Sequence, residues 1–226
     1  HVHEHIGEEH HRRHQYENAP SCDEGVVHQF VNFFRHFYLF PKSCKYTAFS
    51  RLICIFEGEI IKMTISLTGF MGCGKSRIGS ELSKKLGLCF VDLDRAIMLR
   101  TGKSIGELFE KGEPYFRAVE LDTLRAVLSR YTGDSVIIAL GGGTITTPEA
   151  LDLILSQTTS FYLKSSFERI CANLAQSTVE RPLFNENAAA LLASREPLYE
   201  KAAFTVETDG KTPQMIAAEI TALLER

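Results

Sequence analysis

The stretch Ile65-Ser66-Leu67-Thr68-Gly69-Phe70-Met71-Gly72-Cys73-Gly74-Lys75-Ser76-Arg77 decides how the rest of the chain is read. Ile65 to Thr68 is a short run suited to a buried strand, and Lys75 to Leu86 has the character of a helix. Between them, Gly69 to Ser76 fits G-x-x-x-x-G-K-[ST] at every position. A strand that turns through glycines into a helix N-terminus presents backbone N–H groups to phosphate oxygens. Lys75 is then expected to reach the β- and γ-phosphates of a nucleotide and Ser76 to place its hydroxyl on Mg²⁺. Gly72, Cys73, Gly74 and Arg77 complete the expected nucleotide-contacting set. The plain alternative is a glycine-rich turn before a helix, which does not account for Lys75-Ser76 at the required offset.

Downstream, strand and helix alternate. Cys89 to Val91, Ser135 to Leu140, Ser160 to Leu163 and Phe204 to Glu207 read as strands. Helices are expected over Arg95 to Arg100, Ile105 to Tyr131, a segment opened by Thr147-Pro148, Ser166 to Ala175, and Thr212-Pro213 to Leu224. Continuous apolar strands separated by helices predict an α/β fold, a parallel sheet covered on both faces. Gln176 to Asn187 is polar and irregular, and is expected to form a mobile lid.

The 226 residues carry 25 Lys and Arg against 28 Asp and Glu, so no basic excess exists to neutralise a nucleic-acid backbone. The longest apolar stretch, Val26 to Phe40, is interrupted by His28, Gln29, Asn32, Arg35 and His36, which excludes a bilayer span there. Six scattered cysteines without a C-x-x-C pair suit a reducing compartment, and the cytoplasm is expected. All eight histidines precede residue 40 and seven of fifteen phenylalanines precede residue 57, so the first 62 residues differ in kind from the remainder. His1, His3, His5, His10, His11 and His14 have no ligand spacing that defines a metal site, and Phe30, Phe33, Phe34 and Phe37 fall at helical spacing. Residues 1–62 are expected to be an N-terminal extension outside the catalytic domain, either translated upstream or an artefact of the expressed sequence, with Met63 opening the functional domain 63–226.

Three further features carry chemistry. Asp92-Leu93-Asp94 follows the second strand, at the carboxyl edge where open α/β sheets bind ligands, although two acids capping the next helix would look the same. Gly141-Gly142-Gly143 leaves the strand ending at Leu140, and such a run is best explained by close approach of backbone to a ligand. Arg117, Arg181 and Arg195 stand in apolar surroundings and suit a bidentate grip on carboxylate or phosphate, although single arginines more often form surface ion pairs.

Taken in order, the loop Gly69 to Ser76, Asp92-x-Asp94, Gly112-Glu113-x-x-Phe116-Arg117, Gly141 to Gly143, Arg181-Pro182-Leu183 and Arg195-x-Pro197-Leu198-Tyr199 resemble the shikimate kinase family over Met63 to Arg226. The resemblance implies a three-layer P-loop kinase fold with a five-stranded parallel sheet, ATP as co-substrate with Mg²⁺, and phosphorylation of the shikimate 3-hydroxyl on the route to aromatic amino acids. It implies that Asp94 binds substrate hydroxyls and takes the proton of the attacking one. Asp92, with Ser76, would hold Mg²⁺, and Arg117 and Arg195 would grip the substrate carboxylate. Gly141, Gly142 and Gly143 would back the ring, and Arg181 would close over the transferring phosphoryl group. The basic residues that family members often carry before R-P-L are missing from Leu174 to Glu180, so Lys211 and Pro213 become the adenine-side candidates. A monomer acting on small molecules, without nucleic-acid or membrane partners, is expected. A gluconate or nucleoside monophosphate kinase, or an inactive ATP-binding regulatory module, would share part of this pattern.

Overall fold

The computed structural model describes residues 55–56, 59–60, 63–175 and 185–225. The histidine-rich segment, the phenylalanines at helical spacing, Arg181 and most of the expected lid lie outside the described residues. Two short antiparallel strands, β1 (Ile55–Phe56) and β2 (Glu59–Ile60), come first. The main body is a five-stranded parallel sheet of β3 (Thr64–Thr68), β4 (Cys89–Asp92), β5 (Val136–Ala139), β6 (Thr159–Lys164) and β7 (Phe204–Glu207), in the order β4-β5-β3-β6-β7. The P-loop strand β3 is therefore central, with Leu67 opposite Ala139 on one side and Phe161 on the other.

The helices are α1 (Lys75–Leu86), α2 (Leu93–Thr101), α3 (Ile105–Phe109), α4 (Glu113–Arg130), α5 (Pro148–Gln157), α6 (Phe167–Ala175), α7 (Ala188–Tyr199) and α8 (Pro213–Leu224). Alternation along β3 sends Ile65 and Leu67 into a cluster with Ile78 and Leu82 of α1 and Ile216 and Ile220 of α8. On the opposite face, Ile138 and Tyr162 join Leu93, Ile97, Phe116, Leu124 and Tyr199. Both faces of the sheet are thus covered, and the polar side chains that the strands carry, Ser66, Thr68 and Ser160, are buried with them.

The single helix expected over Ile105 to Tyr131 is divided. Gly112, at φ 98°, ends α3's trailing turn in a conformation that side chains with a Cβ disfavour, and Pro114 sits in the first turn of α4. The break turns α4 so that Arg117 and Glu120 are brought toward the carboxyl edge of β5. Thr212 caps α8 as anticipated, its hydroxyl accepting from Met215 N at 3.3 Å, whereas Thr147 precedes Pro148 without a side-chain cap. Cys73, which is buried, and Cys171 are free thiols. Among the described residues no helix is long and apolar enough to cross a membrane.

Candidate functional site

The cradle forms at the carboxyl end of β3. Gly69, Gly72 and Gly74 have φ values of 138°, 81° and 99°, which bend the chain around a concavity opening onto the N-terminus of α1. Lys75 folds back over this loop and donates to Gly69 O at 2.7 Å and Phe70 O at 3.0 Å. Ser76 is exposed, and its Oγ donates to Asp92 Oδ2 at 2.5 Å. Asp92 Oδ1 meanwhile accepts from Arg95 N at 3.1 Å and caps α2. One carboxylate thus does both jobs that the sequence left open, a helix cap on one oxygen and a partner for the P-loop hydroxyl on the other.

A hydroxyl and a carboxylate oxygen meeting beside a phosphate cradle suit a hard cation. Mg²⁺ takes few protein oxygens and completes its shell with phosphate and water. Ser76 and Asp92 fit that ion, and the described residues hold no cluster of three or more His, Cys, Asp or Glu that would fit a fully protein-ligated metal.

Beside the cradle, Ser76, Arg77, Ser80, Glu81, Pro213 and Gln214 line a shallow open depression. Arg77 and Pro213 therefore line the same depression. Lys211 is placed differently: its ammonium lies 2.7 Å from Glu219 Oε2, and its carbonyl accepts from Arg169 Nη2 at 2.8 Å.

The triple glycine organises the other half. A methyl group on Gly141 would stand 3.2 Å from Asp94 Oδ1 and collide with Glu120 Oε1. The Gly142 carbonyl accepts from Tyr199 OH at 2.5 Å and from Arg195 Nη1 at 3.3 Å, and a methyl there would press on Met71 N. One on Gly143 would collide with the Arg117 guanidinium. Asp94, Arg117 and Arg195 are thus gathered about three consecutive residues, and the absent side chains are what let them approach. Arg195 is only 5% exposed, which excludes the surface ion pair considered for it.

Arg117 is held from two sides. Its Nε and Nη2 donate to Glu113 Oε1 at 3.2 and 2.8 Å, and its Nη1 donates to Glu120 Oε2 at 2.7 Å. Burial alone would favour a neutral guanidinium, but Glu120 and Glu113 outweigh it and push Arg117 further up. Glu120 is buried, and that burial raises its carboxyl above the usual range despite Arg117 and a 2.6 Å hydrogen bond from Thr144 Oγ1. Glu120 and Thr144 were not singled out from sequence. The only available signal was the i, i+3 spacing of Arg117 and Glu120, which places them on one helix face. Burial likewise pushes the Tyr199 phenol well up, so the hydroxyl keeps its proton and donates it to Gly142 O.

The family model for shikimate kinase matches residues 71–225. A shikimate kinase of Chlorobium phaeobacteroides is 40% identical over 176 residues, covering 72% of this chain and 90% of the relative. A shikimate kinase of Acinetobacter baumannii, solved in complex with shikimate, superposes with a TM-score of 0.67 at 31% identity, over 73% of this chain and 93% of that one. That of Aquifex aeolicus gives 0.62 at 35% identity, over 72% and 96%.

Proposed function

The chain belongs to the shikimate kinase family, and from that membership we infer that it transfers the γ-phosphoryl group of ATP to the 3-hydroxyl of shikimate, giving shikimate 3-phosphate and ADP. The observation that carries this reading is the gathering of Asp94, Arg117 and Arg195 around Gly141 to Gly143, in a chain that also holds a complete phosphate cradle. A cyclic polyol acid needs cationic forks for its carboxylate and an anionic acceptor for its hydroxyls.

In this reading Arg117 and Arg195 hold the carboxylate, and the flat backbone of Gly141 to Gly143 lies under the ring. Asp94 orients the attacking hydroxyl. As the oxygen bonds to the γ-phosphorus, the bond from that phosphorus to the β–γ bridging oxygen breaks, and Asp94 accepts the hydroxyl proton. Backbone N–H groups of Gly72 to Ser76 and the Lys75 ammonium stabilise charge on the phosphates, which is most of what phosphoryl transfer asks of a protein. Ser76 and Asp92 would hold Mg²⁺, which supplies charge neutralisation on the β- and γ-oxygens when bound. Arg181, from outside the described residues, would close over the transferring group. Arg77 and Pro213 contribute the surface for the rest of the nucleotide. Lys211, whose ammonium pairs with Glu219, contributes the loop preceding α8 to the adenine side. Residues 63–226 form the catalytic domain of a monomeric enzyme, with residues 1–62 outside it.

The test is ADP release measured in parallel with shikimate, gluconate and nucleoside monophosphates. Turnover confined to shikimate is expected. Preference for gluconate or a nucleotide would overturn the substrate, and no ADP release with any acceptor would favour the regulatory module.

A further inference from the structure

The helix α6 touches the phosphate cradle at one end and the loop before α8 at the other. In its last turn, Asn173 Nδ2 donates to Gly72 O at 2.8 Å, across 101 residues of sequence. Next to it Leu174 lies so close that a methyl on Gly72 would stand 2.8 Å from its Cγ and 3.3 Å from Ile170 O. At the other end, Asp209 accepts from Ser166 N at 3.2 Å, and Arg169 Nη2 donates to Lys211 O at 2.8 Å. The helix is therefore pinned at its start and delivers an amide to the cradle at its finish.

Gly72 is the turning point of the cradle, with φ at 81°, and a glycine has no side chain to resist rotation of the adjoining peptide plane. That plane carries Gly72 O on one edge and Cys73 N on the other. Cys73 N reaches Phe70 O at 3.3 Å, a long bond that fixes the plane weakly. The Asn173 amide is the shorter restraint. We propose that Asn173 is a positioning residue for phosphate binding, setting the Gly72–Cys73 peptide plane so that the cradle's N–H groups are aimed before the nucleotide arrives. It touches no reacting atom. Preorganisation of this kind cuts the ordering cost of binding rather than adding a contact to the ligand.

The proposal rests on the kinase reading, and the test separates the two. Wild type, Asn173→Ala and Asn173→Leu are titrated calorimetrically with MgADP and, separately, with shikimate, and their melting temperatures are recorded. Leu matches Asn in branching and size but donates nothing. Both variants are expected to bind MgADP about two- to tenfold more weakly, with shikimate affinity unchanged and no more than the small drop in melting temperature that one lost internal hydrogen bond gives. Wild-type MgADP affinity in Asn173→Leu would show that only packing matters and would overturn the proposal. Parallel loss of MgADP and shikimate affinity with a lowered melting temperature would overturn it too, marking a merely structural contact. Failure of wild type to bind MgADP would instead sink the kinase reading itself.

Discussion

Arg117 Nη1 donates to Glu120 Oε2 at 2.7 Å, so the guanidinium assigned to the substrate is itself gripped by a buried carboxylate. Glu120 Oε1 is occupied by Thr144 Oγ1 at 2.6 Å. Both acceptor atoms have donors, and Gln can keep both partners only by accepting from Arg117 and donating to Thr144 Oγ1, whose hydroxyl also reaches Gly141 O at 3.1 Å, but it lacks the charge that grips the guanidinium. Glu120→Gln should therefore loosen Arg117 and weaken shikimate binding roughly tenfold, with MgADP affinity in the absence of shikimate near wild type. Titration of each ligand decides it, and unchanged shikimate affinity would show that Glu113 alone suffices.

The same carboxyl makes stability depend on pH. Burial, the strongest influence on Glu120, raises its pKa in the folded state, and Arg117 and Thr144 offset this only in part. An acid with a raised folded pKa holds its proton more tightly in the folded chain. The resulting penalty is absent below the unfolded value and complete above the folded one. The melting temperature of wild type minus that of Glu120→Gln should accordingly fall as pH rises through that window. A difference that rises instead would mean that the Arg117 charge dominates burial.

Gly143→Ala is a probe that the backbone does not confuse. Gly143 has φ −119° and ψ 2°, which alanine tolerates, and the three atoms nearest an added methyl all belong to the Arg117 guanidinium. The variant should fold, keep nucleotide binding, and lose shikimate affinity at least about tenfold because Arg117 is displaced from its forked contacts. Wild-type affinity would place the acid-binding centre elsewhere.

How much of this was legible in sequence depends on the range of the signal. The cradle, the alternation of strand and helix around it and the glycine run are written locally, in residue types that fix backbone direction. The division at Gly112 was missed because the apolar spacing on either side continues a helical period that a single positive φ interrupts. Asp92 could not be assigned to capping or to the cradle, since its two oxygens serve one neighbour three residues away and another sixteen away. Glu120 and Asn173 were invisible because an acid on a helix and an amide near a helix end are usually solvated. Only the tertiary approach of α4 to Gly141 and α6 to Gly72 gives them work.

Lys75 tests the cradle directly. Its ammonium already bridges Gly69 O and Phe70 O, so Lys75→Ala removes loop contacts as well as the cation. Turnover should fall by at least about a hundredfold, with a small drop in melting temperature that a side chain free in solvent would not give. Wild-type turnover would refute the assignment.

Asp92 allows its two duties to be separated. Oδ1 caps α2 through Arg95 N, and Oδ2 receives Ser76 Oγ at 2.5 Å, where Mg²⁺ would draw on both groups. Asn retains a carbonyl oxygen for the cap but lacks the charge that a divalent cation needs, whereas Ala lacks both. Asp92→Asn should therefore keep a near-normal melting temperature while needing more Mg²⁺ for half-maximal activity. Asp92→Ala should show the same metal defect plus a loss of about 1 kcal/mol in stability from the missing cap. Ser76→Ala should raise the Mg²⁺ requirement without touching the cap. Melting curves alongside activity measured across a Mg²⁺ series distinguish the cases. If Asp92→Asn responds to Mg²⁺ like wild type, Asp92 is a helix cap alone, and the cation must be held by Ser76 and the phosphates.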